Sequence, residues 1–151
     1  MALFLSTYLN KIDRKGRVSV PAQFRAAVAG QAFNGVVLWR SPKYPALDGC
    51  DWARMEQLSA SLDSLDMFSD AQDDLATTMF GSSVPLPFDG EGRIVLPADL
   101  VEFAGLGEQV AFVGLGKTFQ MWEPAAFAQR QAEARERARS ENRTLKVGGA
   151  P

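Results

Sequence analysis

The sequence contains no histidine and only one cysteine, Cys50, among its 151 residues. A Ser-His-Asp triad or a Cys-His pair therefore cannot form within one chain. The same shortage excludes a zinc site or another soft-metal site built by one subunit. Asp48 and Asp51 flank Cys50 and disfavour its thiolate, so we interpret it as a packing or turn residue. We expect no enzyme, no catalytic residue, no bound metal and no cofactor.

Long apolar runs are also missing from the chain. The longest runs, such as residues 35–39 and 109–114, are far shorter than the roughly 20 residues that span a bilayer. The opening Met-Ala-Leu-Phe-Leu-Ser has neither a cationic leader nor an extended apolar region, which predicts a cytoplasmic protein. The single cysteine agrees, because it cannot form an internal disulfide. The length and a hydrophobic content of 46% suit one globular domain.

Positive charge is not in excess, but it is sorted along the chain. The net charge is −2, which argues against a protein that coats nucleic acid through bulk positive charge. Residues 8–27 sum to +4, residues 47–75 to −7 and residues 130–146 to +3. One face can therefore be basic although the whole molecule is acidic.

An internal repeat becomes visible when the chain is shifted by 76 residues. Nine of thirteen positions then match in residue type; among the matched pairs are Asp13 and Asp89, Gly16 and Gly92, Arg17 and Arg93, Val18 and Ile94, and Pro21 and Pro97. Each copy is followed by a short segment with helical spacing and then by β-rich residues. This self-similarity indicates an internal duplication.

Each copy predicts a strand, a tight turn, a second strand and a helix that opens at proline. Glycine suits a turn position with positive φ, the aspartate three residues earlier can accept hydrogen bonds from the turn, and proline suits the first helical position. Alternation places Val18 and Val20 on one side of the strand, opposite Arg17 and Ser19. Such hairpins have unpaired edges, so we expect the two copies to interlock into a small closed barrel.

Helical patterns fill the rest of the chain. Apolar residues at spacings of three and four predict a helix after Asp51, which we take as its N-cap; they are Trp52, Met55, Leu58, Leu62 and Leu65. A second helix is predicted over residues 70–80, with Leu75 and Met79 inward. A third runs from Pro124 to about Ser140, with an i to i+4 pair between Glu133 and Arg137. We expect residues 142–151 to fray.

The doubled Asp-x-x-Gly-Arg frame, with Val-Ser-Val-Pro after the first copy and Ile-Val-Leu-Pro after the second, resembles the MraZ family. The resemblance covers roughly residues 1–140, and the repeat unit is similar to the swapped-hairpin module of AbrB-type regulators. It implies an α+β fold: a tandem swapped-hairpin (AbrB-like) β-barrel from an internal duplication, with peripheral helices. The expected parts of this single pseudo-symmetric domain are a first module (5–50), a helical insertion (51–80), a second module (81–123), and a C-terminal helix and tail (124–151).

The resemblance also implies a function. Members are sequence-specific transcription factors that form homo-oligomeric rings, commonly octamers. They bind direct repeats in double-stranded DNA upstream of their own division and cell-wall operon, so the protein is expected at the nucleoid. Carried over by position, the DNA-binding cations are Arg14, Lys15 and Arg17, together with Lys11 and with Arg93 of the second copy. Asp13, Gly16, Asp89 and Gly92 are expected to shape the turns.

The residues themselves also favour DNA contact at the first turn. Gly90 and Glu91 occupy the positions of Arg14 and Lys15, so folding of the turn does not require two cations there. The excess charge points to phosphate, with an arginine able to reach guanine. For Arg17 and Arg93 a purely structural tie to the aspartate is the alternative interpretation. The second turn should bind phosphate poorly.

Two other functional classes remain open at this stage. A scaffold protein that uses the same barrel without nucleic acid would keep its activity when Arg14 and Lys15 are replaced by glycine and glutamate. A hydrolase built on Ser19 and Lys11 would lose turnover on removal of Ser19 while remaining folded.

Overall fold

A computed structural model describes residues 2–145. It contains eight strands and five α-helices in these residues: β1 (Thr7–Lys11), β2 (Arg17–Ser19), α1 (Ala22–Ala27), β3 (Gly35–Arg40), β4 (Leu47–Cys50), α2 (Trp52–Leu62), α3 (Asp70–Leu75), β5 (Val84–Pro87), β6 (Arg93–Val95), α4 (Ala98–Phe103), β7 (Gln109–Gly114), β8 (Phe119–Trp122) and α5 (Pro124–Ser140). A one-turn π-helix, Ala76–Phe80, continues α3. No helix in residues 2–145 is long and apolar enough to cross a membrane.

The strands form an α+β fold with two antiparallel sheets, in agreement with the predicted class. One sheet has six strands in the order β1-β7-β8-β4-β3-β5, and the other consists of β2 and β6. Exchanging the corresponding strands of the two halves replaces β1 by β5, β2 by β6, β3 by β7 and β4 by β8, with an offset of 76 residues between β2 and β6 that falls to 72 between β4 and β8. The strand order reads the same in both directions under this exchange, so the two halves of the chain occupy equivalent places.

The predicted closed barrel does not appear in the strand pairing of the described chain. β2 pairs with β6 and, apart from this pairing, forms only a single isolated bridge among the described residues, between Val18 and Ile12; each of the two strands is three residues long because a proline follows shortly after it. The six-stranded sheet keeps β1 and β5 as its edges. The pairing is therefore an open sheet with a separate two-stranded ribbon.

A single large core holds the ribbon against the sheet. Val18 of β2 and Ile94 of β6 are both buried in it, whereas Ser19 and Val95 are exposed on the other side of the ribbon. The alternation predicted for β2 is confirmed. Phe24 of α1 is fully buried beside Phe4 and Phe119, with ring centroids 5.2 and 5.3 Å away. Burial of such a side chain contributes about 1.5–3 kcal/mol, so these aromatic contacts fix the position of α1 beneath the ribbon.

The prolines lie one position earlier than predicted. Pro21 and Pro97 are the N-cap residues of α1 and α4, with ψ of 139° and 143°, rather than the first helical residues. Proline is compatible with this place because its fixed φ near −65° also suits extended backbone. The helices therefore begin at Ala22 and Ala98.

The helical segment before β5 differs from the prediction at one residue. Met79 packs against the cluster of Val37, Trp39 and Cys50, as predicted, but Leu75 is 50% exposed. The chain changes from α-helix to π-helix at Ala76, and a π-helix takes more residues per turn than an α-helix. This change rotates neighbouring side chains out of the register of an unbroken α-helix.

The helix predicted after Asp51 is confirmed as far as Leu62, where α2 ends, so the prediction was wrong for Leu65, which lies in the bend that follows. The carboxylate of Asp51 accepts a hydrogen bond from the backbone N–H of Arg54 and caps α2. α5 has the predicted bounds, and Arg137 Nη2 lies 3.8 Å from Glu133 Oε2. Residues 142–145 of the predicted tail follow α5 without forming a helix, and residues 146–151 lie outside the described part.

Candidate nucleic-acid interface

The first turn, residues 13–17, is organised by the side chain of Asp13. Its Oδ1 accepts hydrogen bonds from the backbone N–H groups of Lys15 and Arg17, both at 2.9 Å. Its Oδ2 accepts one from Arg17 Nε at 2.5 Å. Gly16 has φ of +82°, a conformation that glycine adopts without strain. These contacts explain the aspartate and the glycine as turn-forming residues.

The second turn, residues 89–93, repeats this arrangement. Asp89 Oδ1 accepts hydrogen bonds from the N–H groups of Glu91 and Arg93 at 2.9 Å, and Oδ2 accepts one from Arg93 Nε at 2.8 Å. Gly92 has φ of +77°. The two turns therefore share one backbone skeleton although their exposed side chains differ in charge.

The same contacts alter the acidity of the turn residues. Partial desolvation raises the pKa of Asp13, but the N–H groups of Arg17 and Lys15 and the Arg17 guanidinium outweigh it and lower that pKa below its usual value. The N–H of Arg93 lowers the pKa of Asp89 against an opposing desolvation. The hydrogen bond to Asp89 raises the pKa of Arg93, and the charge of Asp13 in the first turn adds to that rise. Both aspartates are therefore ionised at neutral pH.

The β2–β6 ribbon brings the two turns side by side. The N–H of Leu96 donates to the carbonyl of Gly16 at 2.8 Å, and the N–H of Val20 donates to the carbonyl of Gly92 at 3.1 Å. Arg17 is paired with Val95, and Arg93 with Ser19. Because strands in a sheet are about 5 Å apart, the two arginines belong to one continuous surface, which also includes the exposed Ser19 and Val95.

The candidate cations differ in what surrounds them. Arg14 and Lys15 are exposed, and neither forms an ion pair within residues 2–145. Arg17 and Arg93 are partly buried and tied to their aspartates. Lys11 is exposed at the end of β1 and lines an open groove of about 740 Å³ with Arg14. The structure thus brings all five candidates to the region of the ribbon and the first turn.

One cation of this region was not a candidate from the sequence. Arg25 of α1 lies against the second turn and donates from Nε to the carbonyl of Val20 at 3.1 Å. The sequence offered no signal for it, because the contact depends on the pairing of strands from opposite halves of the chain.

Other chemistries find little support in the geometry. No group of three or more His, Cys, Asp or Glu side chains within residues 2–145 is arranged to hold a metal ion. Burial, helped by the charge of Asp51, raises the pKa of the Cys50 thiol to about 12, which keeps this packed side chain protonated. The hydroxyl of Ser19 forms no hydrogen bond with Lys11 within residues 2–145, so these two residues do not form a Ser-Lys pair in the described part of the chain.

Comparisons with known proteins add a family. The sequence profile of the family described as "MraZ protein, putative antitoxin-like" matches residues 79–147. A relative from Gluconacetobacter diazotrophicus is 50% identical over 142 residues, which cover 92% of this chain and 90% of the relative. Relatives from Pelagibacter ubique and Rickettsia bellii are 46% and 42% identical and cover 95% and 97% of this chain, and 93% and 98% of their own lengths. All three are named transcriptional regulator MraZ.

Proposed function

The chain belongs to the MraZ family, and from that premise we propose that it is a transcriptional regulator that binds duplex DNA through its first turn. The contrast between the two turns carries this proposal. Both have the same hydrogen bonds around an aspartate, but only the first adds Arg14 and Lys15, whose charges are exposed and have no acidic partner among the described residues. Surplus cations on a rigid turn are suited to phosphate.

The roles of the five cations follow from their surroundings. Arg14, Lys15 and Lys11 contact the DNA backbone. Arg17 and Arg93 present their guanidinium groups from the ribbon surface, with Nε bound to aspartate; Glu91 lies near Nη1 of Arg93, so Arg17 is the freer of the two to reach the duplex. A guanidinium held in this way loses little conformational entropy on binding and can pair with guanine in the major groove.

Several copies of the site must bind together to give high affinity for DNA at physiological salt. One turn makes two or three phosphate contacts, and each adds about 0.9 to the slope of log K against log salt, so a single subunit binds weakly at physiological salt. We therefore include the homo-oligomeric ring, with eight subunits as the expected number, and direct repeats upstream of the protein's own operon of division and cell-wall genes. Head-to-tail subunits present identical turns in one direction, which direct repeats match. The protein is expected at the nucleoid.

The fold supports a division of the chain into two interlocked modules. Residues 5–50 and 81–123 are the modules, because β2 of the first pairs with β6 of the second. This pairing and the equivalent strand order are what a duplication followed by exchange of strands would produce. Residues 51–80 form the insertion, and residues 124–151 form the C-terminal extension.

The decisive experiment is a titration of DNA from upstream of the gene at several salt concentrations. We expect cooperative binding that weakens steeply with salt. The double variant R14G/K15E, which copies the second turn into the first, should lower the salt slope by about 1.8 for each engaged subunit. The mass of the free protein, measured in solution, should correspond to a ring.

A matched control separates local charge from total charge. R135A/R139E changes the net charge by the same amount on the exposed end of α5, far along the chain from the turns. It should leave the salt slope near that of the unmodified protein. Equal losses in both variants, or full affinity in R14G/K15E, would contradict the proposal and favour a scaffold without a DNA partner.

A further inference from the structure

Arg25 of α1 gives the second turn an additional cation from outside the turn itself. Gly92 is buried, and a Cβ atom added to it would lie 2.7 Å from Arg25 Nε and 2.8 Å from Cδ and Cζ. The arginine side chain therefore lies directly against the backbone of the turn. Its Nε also donates to the carbonyl of Val20, the residue whose N–H binds Gly92. Two contacts fix the stem of Arg25 beside the turn.

The first turn has no equivalent of this side chain. The residue 76 positions after Arg25 is Val101, and a Cβ on Gly16 would meet the carbonyl oxygen of Leu96, at 2.6 Å. Val101 and Gly16 instead line an open cavity of about 270 Å³. The two halves of the chain therefore differ in the source of their positive charge. The first turn has its own additional cations, whereas the second turn receives one from helix α1.

Arg25 changes the net charge at the second turn. Asp89 and Glu91 are negative and Arg93 is positive, so the turn alone is net negative and would repel a phosphate beside the ribbon. Glu91 is turned toward Arg93, with 3.6 Å between Oε2 and Nη1. The positive charge of Arg25 cancels the net negative charge of the second turn. Its terminal nitrogens form no hydrogen bond or ion pair within residues 2–145, so they keep their donors for a ligand.

We propose that Arg25 is a DNA-phosphate contact, held by the second turn, so that each subunit binds the duplex backbone with both halves of the ribbon. This inference rests on the proposed function, and it replaces the expectation that the second turn binds phosphate poorly. The proposed ligand is the phosphodiester backbone, and contacts to it position a protein on the duplex without carrying sequence information.

The test compares R25Q with R25K in the salt titration with the upstream DNA. Glutamine keeps a side-chain N–H near Val20 but removes the charge, and lysine keeps the charge. We expect R25Q to lower the salt slope by about 0.9 for each engaged subunit, on specific and unrelated duplexes alike, and R25K to retain the slope. V101Q, at the equivalent place in the other half, should have no effect on the slope.

Each possible result decides the question. If R25Q retains the full slope while R14G/K15E loses it, Arg25 only supports the turn and the inference is overturned. If neither variant changes the slope, the proposed function fails together with the inference. E91Q provides an independent measurement that does not disturb packing, since Glu91 is exposed: it should tighten binding by removing a negative charge beside the site, and unchanged affinity would also overturn the inference.

Discussion

At the scale of single residues, the two turns separate what folding requires from what it does not. Asp13 and Asp89 accept the same three hydrogen bonds, so the backbone demands them. These contacts span at most four residues, which is why the sequence alone predicted the turn and its glycine. The position of Arg25 was not predictable in this way, because its contact with Gly92 joins residues from opposite halves of the chain. Sequence patterns over a few neighbouring residues predict contacts between those neighbours, but not contacts between distant parts of the chain.

Alanine substitutions at two glycines separate the cost of a left-handed backbone from the cost of a steric clash. Gly16→Ala should lower the free energy of unfolding by about 1–2 kcal/mol from the left-handed backbone alone, and by more because the new Cβ would lie 2.6 Å from the carbonyl of Leu96. Gly30→Ala has the same φ of +82° but open space, so only the backbone cost applies. Urea unfolding followed by tryptophan fluorescence measures both changes.

Gly90→Ala is the control for these two variants. Gly90 has no positive φ and nothing within 4 Å of an added Cβ. Alanine there should leave the free energy of unfolding unchanged or raise it by about 0.4–1 kcal/mol, because it restricts the unfolded chain. A loss at Gly90 equal to that at Gly16 would mean that the close approach to Leu96 does not explain the first turn.

At the scale of elements, prediction succeeded where one signal dominated. The periodic apolar residues and the Asp51 cap defined α2, and proline with an alanine-rich run defined α5. β4 was missed because Asp48 and Gly49 are unfavourable in strands and Pro45 precedes them. Its strand character comes from pairing with β3 on one side and β8 on the other, which is a tertiary effect. The one-turn π-helix that follows α3 also has no simple sequence signal.

The cap of α2 also joins that helix to the loop between α1 and β3. Asp51 is 3% exposed and, besides capping α2, accepts a hydrogen bond from the side chain of Gln31. Asp51→Ala should lower the free energy of unfolding by about 2 kcal/mol, because loss of a cap typically costs about 1 kcal/mol and loss of the hydrogen bond to the half-buried Gln31 amide costs a further ~0.5–1.5 kcal/mol. Thermal denaturation followed by circular dichroism measures the loss.

The cap of α3 is the matched comparison for Asp51. Ser69 Oγ accepts a hydrogen bond from the N–H of Gln72, but Ser69 is less buried and binds no second element through its side chain. Ser69→Ala should cost about 1 kcal/mol or less. Equal effects of the two alanine variants would show that the bond to Gln31 contributes nothing to the attachment of α2.

At the scale of the whole molecule, charge is separated by the fold. The net charge of −2 hides a basic ribbon surface, whereas the segment 47–75 carries a net −7. The net charge gives such a molecule no long-range attraction to DNA, so the proposed binding would depend on close contacts of the ribbon and the first turn. The strand order is equivalent in both directions, so each half of the chain contributes one strand to the ribbon.

The assembly can be tested by the number of repeats in the DNA. If several subunits of one ring bind together, each contact after the first is intramolecular, and a duplex with several repeats should bind at least ~100-fold more tightly than one with a single repeat. The duplexes would be cut from the upstream region after footprinting and kept at equal length with scrambled flanks, so that non-specific phosphate contacts are the same. The salt slope should rise with repeat number, because each added subunit brings its own phosphate contacts. Affinity and slope that do not depend on repeat number would mean that one subunit supplies all the binding, which two or three exposed cations on a turn are too few to do.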